Sequence, residues 1–523
     1  MSRLSKDDLS QMSREYFQSL PQERLLEVTA NLHELAVEQW ERLEQNSSNS
    51  SRPPSSDPPY DKPEIIPSEE EGKGGDLDLP VETGDGQEES ELAQSSRQSS
   101  PEEDSQPSAT KRSAGKQPGA QGHWRSTPLQ ATTIIPHHPE TCAACNAPSL
   151  VSDSKPYMGY YVLDLTQPVS GLEIGCQLHH YYGGRCSCGH HTKAAPGRGY
   201  ISSVEGRKRN LELKEQVLVG PWLTTFIASL SVRYRMSRLK IHEFLMDWAN
   251  TALSVGTIDR CIREAGIACV PVVETLIDEL QTAEILHLDE TPWYEKGKLR
   301  WLWVAISTTT AVFHIGSRKH DELLFLVTSA FVGWLVSDGY GAYRDYQKRQ
   351  RCLAHLIRKA IALSGAVNAE ARALGSWLLK ELRGLIHTMA SASEETPPTT
   401  HPILARIYLA CTLHKDAEHA KLKALAREIL NDWEAVIAFV QHPQLPPTNN
   451  EAERALRHAV IARRISYGTR TTEGSLAYSS LLSVIETCRL RKVNPWSYIA
   501  EVITQGRKGL PVSSIPQLQE SIC

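Results

Sequence analysis

Two short apolar runs that each end in aspartate constrain this chain more than any other feature. "AEILHLDET" ends its run at Asp289, and "GWLVSDGYGAY" ends its run at Asp338. Between them, "LRWLWVAIS" and "TAVFHIGS" are rich in β-branched and aromatic residues and read as strands, while "KHDELLFLVTSAF" (319–331) reads as a helix. Taken alone, an Asp at a strand end is a turn or cap residue. Two that meet a third carboxylate at a sheet edge make a site for hard divalent cations, Mg²⁺ or Mn²⁺. Two such ions about 4 Å apart can activate a water or a 3′-hydroxyl and stabilise the leaving oxygen of a phosphodiester. A helix opened by Thr448, Asn449 and Asn450 offers Glu451 and Glu453 as the third acid. These lie about 200° apart around a helix. The apolar stripe Ala452, Ala455, Leu456, Ala459, Val460 runs midway between them, so periodicity leaves the choice open.

The rest of the chain divides by composition. Its 523 residues correspond to about three or four structural units. Residues 1–45 read as helix, with Leu25, Val28, Leu32 and Leu35 at spacings of three and four; either a short dimerising coil or an amphipathic helix docked on its own chain fits. Residues 46–130 are Ser-, Pro-, Gly- and acid-rich and read as a disordered linker, turning basic at "KRSAGKQPGAQGHWR" (111–125). Within this tract, residues 61–110 hold 15 Asp/Glu against 3 Lys/Arg, and the remainder of the chain is net +6. A mildly basic body with an acidic insert is compatible with a nucleic-acid partner. No uncharged apolar run reaches the length of a membrane span, and the opening residues lack the apolar region of a secretory signal. The expectation is a cytoplasmic protein without a membrane partner. Residues 234–266 read as two helices broken near Ala252–Gly256, with Thr257 at the N-cap; helix–turn–helix units and ordinary packed helix pairs share this pattern. Residues 356–440 are helical almost throughout.

Eleven cysteines in such a chain argue for reduced thiols or metal ligands. Cys142 and Cys145 form a C-x-x-C, and Cys186 and Cys188 form a tighter C-x-C, with Gly183, Gly184 and Gly189 as turn residues around it. Two such knuckles supply four thiolates to one structural Zn²⁺. Cys176, His190 and His191 are alternative members of the second pair.

The blocks "LHLDETPWYEKGKLRWLWVA", "LVSDGYGAY", "CLAHLIRKA" and "TNNEAERALR" follow one another in order. Together they resemble the catalytic blocks of DDE transposases of the insertion-sequence 66 family. "NSSNSSRPPSSD" and "GKQPGAQGH" resemble that family's linker, "HHPETCAACN" its zinc-binding region, "LSVGTIDRCIREA" its helical region and residues 468–503 its C-terminal segment. The second knuckle departs from the family, which more often has two residues between the cysteines, and the acidic insert is longer.

The resemblance implies a mixed, multidomain architecture. It comprises an N-terminal helical segment (1–45), the linker (46–130), a zinc-binding module (131–205) and a helical, DNA-binding region (206–280). An α/β ribonuclease-H-like catalytic core follows (281–470), with a helical insertion at about 360–445, and then a C-terminal segment (471–523). Motif by motif, it assigns Asp289, Asp338 and Glu453 as the acidic triad holding two Mg²⁺ (or Mn²⁺), with Cys142, Cys145, Cys186 and Cys188 on one Zn²⁺. His355, Arg358 and Asn450 become accessory residues, and Arg454, Arg457, Arg463 and Arg464 become candidates for phosphate contact. The implied function is metal-dependent cleavage and strand transfer at an element's terminal inverted repeats. The implied partners are those repeats and target DNA, a homo-oligomer on DNA, and small accessory proteins of the same element, with the protein at the nucleoid. A DNA-binding relic or repressor without catalysis is the alternative.

Overall fold

The computed structural model describes residues 14–43, 129–148, 150–166, 173–201, 211–391 and 400–517. The expected linker through residue 128, including the basic stretch 111–125, lies outside them, as do the first and last few residues of the chain.

The N-terminal segment forms two helices, α1 (Arg14–Ser19) and α2 (Gln22–Leu43), separated at Pro21. Proline lacks the N–H that would continue a helix, and its ring disfavours helical geometry in the residue before it. Along α2, Leu25, Val28, Leu32 and Leu35 are less exposed than most of the residues between them, as their spacing requires.

Residues 129–219 build small sheets. β1 (Thr133–His137) lies parallel to β4 (Glu173–Tyr181), which pairs antiparallel with β3 (Met158–Thr166). β2 (Leu150–Ser152), β5 (Gly183–Cys186) and β6 (His191–Lys193) make a second sheet, and β7 (Arg198–Ile201) pairs with β8 (Leu211–Lys214). Four helices follow: α3 (Pro221–Val232), α4 (Arg238–Ala249), α5 (Val255–Ala268) and α6 (Val270–Leu280). Leu223, Ile227, Ile241, Leu245 and Ile258 are fully buried between α3, α4 and α5. The cap of α5 is Ser254, whose hydroxyl accepts the backbone N–H of Thr257 at 3.1 Å. Thr257 is therefore the capped residue rather than the cap, because the helix begins one turn earlier than the sequence pattern indicates.

A five-stranded mixed sheet forms the centre: β9 (Ile285–Glu295), β10 (Lys298–Ile306), β11 (Ala311–Gly316), β12 (Trp334–Ser337) and β13 (Arg349–Arg351), in the order β11-β10-β9-β12-β13. Lys296 and Gly297, both at positive φ (52° and 75°), close the β9–β10 hairpin as a two-residue turn demands. β12 and β13 run parallel to β9, so the chain must cross over, and α7 (His320–Leu326) lies on that crossover. The strand carrying Asp289 does not stop there. It continues to Glu295 because β10 pairs with it throughout, Val304 opposite Asp289.

A second core forms among α8 (Leu353–Ser364), α9 (Ala369–Ala390), α10 (His401–His414), α11 (Ala420–Asn431) and α12 (Trp433–Gln441). The chain then returns to the sheet through α13 (Asn450–Ser466), α14 (Thr472–Leu490) and α15 (Pro495–Lys508). Both sheet edges are covered. Ser483 and Thr487 of α14 accept the N–H groups of Phe313 and Ala311 on β11, at 2.8 and 3.0 Å. On the far edge all three residues of β13, Arg349, Gln350 and Arg351, are buried; Gln350 accepts the N–H of Phe439 at 2.7 Å, and Arg349 pairs with Asp432 at 2.7 Å. Covering an edge in this way removes a template for intermolecular strand pairing.

Helices α5 and α14 pack backbone to backbone at Gly266, where an added Cβ would lie 2.3 Å from the Ala477 Cα. Gly266→Ala is expected to destabilise the fold by about 1–3 kcal/mol through overpacking. Gly384→Ala, in α9 where an added Cβ meets nothing, is expected to stabilise by about 0.5–1 kcal/mol. Denaturant titration of the two variants checks the opposite signs.

Candidate active site and metal centre

The register of β9 against β12 sets the first part of the site. Val336 pairs with His287, so two residues further along each strand Asp338 stands beside Asp289. β12 ends at Ser337, and the Asp338 carboxylate accepts the N–H of Tyr340 at 2.8 Å, which turns the chain away from the sheet. Asp289 accepts the N–H of Glu290 at 2.9 Å.

The third acid comes from α13, and a side chain that packs like a core residue docks that helix. Asn449 is fully buried one residue before it. Its Oδ1 accepts from His287 Nδ1 at 3.0 Å, its Nδ2 donates to the Leu288 carbonyl at 2.6 Å, and its backbone N–H donates to Cys352 Sγ at 3.2 Å. Burial holds His287 below its ordinary pKa and therefore neutral. Asn449 thus ties the start of α13 to the strand that carries Asp289. With Ala452, Leu456, Ala459 and Val460 buried, Glu453 faces a cavity of about 590 Å³, while Glu451 is exposed and pairs with Arg454 at 2.6 Å.

The cavity is lined by Asp289, Glu290, Asp338, Glu453, His355, Arg358, Trp301, Arg318, Arg457 and Arg464, among others. Its charges are unequally compensated. Arg358 donates to both oxygens of Glu453, at 3.0 and 3.2 Å. Glu290 accepts from Tyr343 at 2.5 Å and from Arg318 at 2.7 Å, and the Arg318 guanidinium lies between the rings of Trp301 (4.0 Å) and Tyr340 (4.1 Å). Even so, burial and the nearby Asp338 push Glu290 up to about 7. Asp289 is the least compensated. Burial, then Glu290, Asp338 and Glu453, raise its carboxyl well above the ordinary range. A carboxylate crowded by three others, with no Lys or Arg hydrogen-bonded to it, fits a divalent cation as its counter-charge.

The remaining expected residues take separate positions. Asn450 is exposed at the start of α13, and Arg457 and Arg464 are exposed at the cavity. Arg463 instead reaches across to Thr291 Oγ1 (3.0 Å) and the Pro292 carbonyl. His355 is half-buried beside Glu453, with Nδ1 3.9 Å from Oε1, too long for a hydrogen bond.

The four knuckle cysteines converge. Their sulfurs all lie within 4.8 Å of one another, with Cys142–Cys188 at 3.6 Å and Cys145–Cys186 at 3.5 Å. These separations exclude disulfides and approach the roughly 3.8 Å edge of a tetrahedron with Zn–S bonds of about 2.3 Å. Each knuckle closes with a left-handed residue immediately after its second cysteine: Asn146 (φ 58°) and Gly189 (φ 88°). Backbone N–H groups of Cys145 and Cys188 point at Cys142 and Cys186 and lower both thiols, Cys142 to about 6. The C-x-C spacing therefore suffices. Cys176 packs in the core under α3, His190 is exposed, and His191 bonds to Asp153 at 2.8 Å. The four-cysteine cluster can hold one zinc-class ion.

With this geometry in place, comparison with known proteins is informative. The sequence model described as the Transposase IS66 family matches residues 216–477, half of the chain. The chain belongs to the IS66 transposase family. Among curated relatives, the uncharacterized protein y4qI of Sinorhizobium fredii is 23% identical over 283 residues, 47% of this chain and 52% of that protein. A second from the same organism, y4hP, is 34% identical over 77 residues, 15% of this chain and 14% of its own. The chain therefore spans about half the length of the first relative and less of the second. The family match covers α3 to α6, the sheet and all three candidate acid-bearing segments of this IS66-family protein; the cysteine cluster lies N-terminal to it. Among the described residues, no helix is long and apolar enough to cross a membrane.

Several residues at the site are poorly marked in the sequence. Glu290 and Arg318 read as ordinary surface charges, Trp301 and Tyr343 as core. Asn449 reads as a cap, although its side chain caps nothing; the one available signal was its place directly before an acid-bearing helix.

Two outcomes follow. Asn449→Ala leaves buried partners unsatisfied and is expected to cost about 1–3 kcal/mol in denaturant unfolding. The raised carboxyl of Asp289 means that the folded chain binds that proton more tightly than the unfolded one, so its ionisation costs stability as pH rises above the usual carboxylate range. In chelator, the Tm of Asp289→Asn is expected to gain on wild type as pH rises from about 4, and millimolar Mg²⁺ is expected to narrow that gap; parallel melts check both.

Proposed function

We propose that this protein is a DDE transposase with a ribonuclease-H-like core, which binds the terminal inverted repeats of its insertion element, cleaves the DNA strand at the element end and joins it to target DNA. The observation that carries this reading is the meeting of Asp289, Asp338 and Glu453, from three separated segments, at one cavity where, among the described residues, no Lys or Arg is hydrogen-bonded to Asp289. The mixed sheet, three antiparallel strands extended by two parallel ones, and the helical block between Asp338 and Glu453 support the same reading.

In this reading Asp289, Asp338 and Glu453 hold the metal. Two bound Mg²⁺ or Mn²⁺ supply activation of the attacking water or 3′-hydroxyl and stabilisation of the leaving oxygen. Arg358 fixes the Glu453 carboxylate through two hydrogen bonds, and Asn449 fixes the helix that carries it. Arg457 and Arg464 stand free at the cavity to meet phosphate oxygens. Arg463, committed to β9, positions Thr291 and Pro292 instead. The four cysteines hold Zn²⁺ and keep the two knuckles joined. The partners are the terminal repeats and target DNA, with α2 contributing to assembly of a homo-oligomer at the nucleoid and accessory proteins of the element aiding activity.

The test is cleavage of a duplex bearing the element's own end, in Mg²⁺ or Mn²⁺. Asp289→Asn, Asp338→Asn and Glu453→Gln are each expected to lower the rate by about 10²–10³-fold or more while end binding persists. Arg464→Ala is expected to weaken binding and flatten its salt dependence by about one unit of log–log slope. Tight binding without cleavage by the wild type, accessory proteins included, would replace the enzyme with a DNA-binding repressor.

A further inference from the structure

Outside the four-cysteine cluster, the other described grouping whose ligand atoms all lie within 4.8 Å of one another is Cys352, His355 and Glu453. We propose that these three residues form a second metal site, selective for Zn²⁺ or a similar borderline ion, which competes with the carboxylate cavity for Glu453. The competition rests on the function proposed above; the metal site does not.

Cys352 immediately precedes α8, and His355 lies three residues further on, within its first turn. An i, i+3 spacing at a helix start puts both side chains on one face. The Cys352 sulfur is fully buried and accepts the N–H of Asn449 at 3.2 Å. His355 Nδ1 is buried without a hydrogen-bond partner. Buried polar atoms in folded proteins are nearly always paired, so an orphan nitrogen beside a thiol and a carboxylate points to an ion as its partner.

The cations around the site are already engaged: Arg351 and Lys359 by Glu428, at 2.5 and 2.6 Å, and Arg358 by Glu453. A sulfur–imidazole–carboxylate set suits Zn²⁺ and disfavours Mg²⁺, which prefers six oxygens. With Zn–N and Zn–O bonds of about 2.0–2.2 Å, tetrahedral ligation places nitrogen and oxygen about 3.4 Å apart. The observed 3.9 Å therefore closes with a small side-chain rotation. On binding, Cys352 gives up its proton to solvent, and Glu453 turns toward the site and away from Asp289. An ion held there silences the cavity without occupying it.

The test uses the full chain with Cys142→Ser and Cys186→Ser, which removes the first cluster, titrated with Co²⁺. One equivalent should bind with a thiolate-to-cobalt charge-transfer band. Adding Cys352→Ala should abolish that band, and adding His355→Asn should weaken binding at least tenfold. If the double-serine background does not fold, the loss of one equivalent between wild type and Cys352→Ala is the same readout. A titration unchanged by Cys352→Ala overturns the site, whether or not the protein cleaves DNA. In cleavage assays, Zn²⁺ should inhibit the Mg²⁺-supported reaction of wild type, and at least tenfold more should be needed for Cys352→Ala. Cobalt binding with equal zinc inhibition of the two would retain the site and overturn the competition.

Discussion

Holding several carboxylates together in a half-closed cavity is the constraint around which this structure is organised. Asp289, Glu290, Asp338 and Glu453 repel one another, and burial worsens the repulsion because little water remains to screen it. The fold answers unevenly. Glu290 receives Tyr343 and a guanidinium clamped between two aromatic rings. Glu453 receives Arg358. Asp289 receives only its neighbour's backbone N–H. Among the described residues Asp289 has no hydrogen-bonded cation, so its charge is the one a divalent cation would relieve most, with Glu453 fixed beside it by Arg358.

Bringing the acids together takes structure well beyond the cavity. The pair Asp289 and Asp338 follows from strand register alone, since both lie where β12 stops beside a β9 that continues. Glu453 has no such support, because a long helical block separates it from Asp338. That block has its own core, anchored to the sheet through the buried β13 edge by Arg349, Gln350 and Arg351 and their partners Asp432, Glu428 and Phe439. It returns the chain to the sheet at Pro447, whose carbonyl accepts the N–H of Leu353, and Asn449 then locks the new helix onto β9. The contacts that align the site thus combine buried ion pairs at β13 with the amide and backbone hydrogen bonds of Asn449 and Pro447. Truncating a buried amide leaves its partners unsatisfied, whereas losing an exposed ion pair such as Arg454–Glu451 costs little.

The sequence was legible where chemistry depends on local spacing. The cysteine knuckles were readable because two cysteines one or two residues apart can face a common ion from a single turn, and because glycines, Gly189 among them, mark the turns around the second pair. The strands around Asp289 were readable from alternation and β-branching. The end of the Asp289 strand was not, because pairing with β10 extends it through residues of weak strand character such as Glu290 and Pro292. The "RQR" of β13 is not among the strands read from the sequence and is among the most buried segments of the sheet; partners 77 to 89 residues away make that tolerable.

By itself, the sequence determined which residue types are available and in what order: four thiols in two turns, two acids on apolar runs, an acid-bearing helix far downstream. The family resemblance assigned Glu453, but helical periodicity could not choose between Glu451 and Glu453, because both flank the same apolar stripe and the periodicity is symmetric about it. Tertiary structure made that choice. Asn449 sets the rotation of α13 through hydrogen bonds to His287 and Leu288, which turns Glu453 to the cavity and Glu451 to solvent. Spacing along a chain limits which groups can share a face, but only packing against another element decides which face is buried.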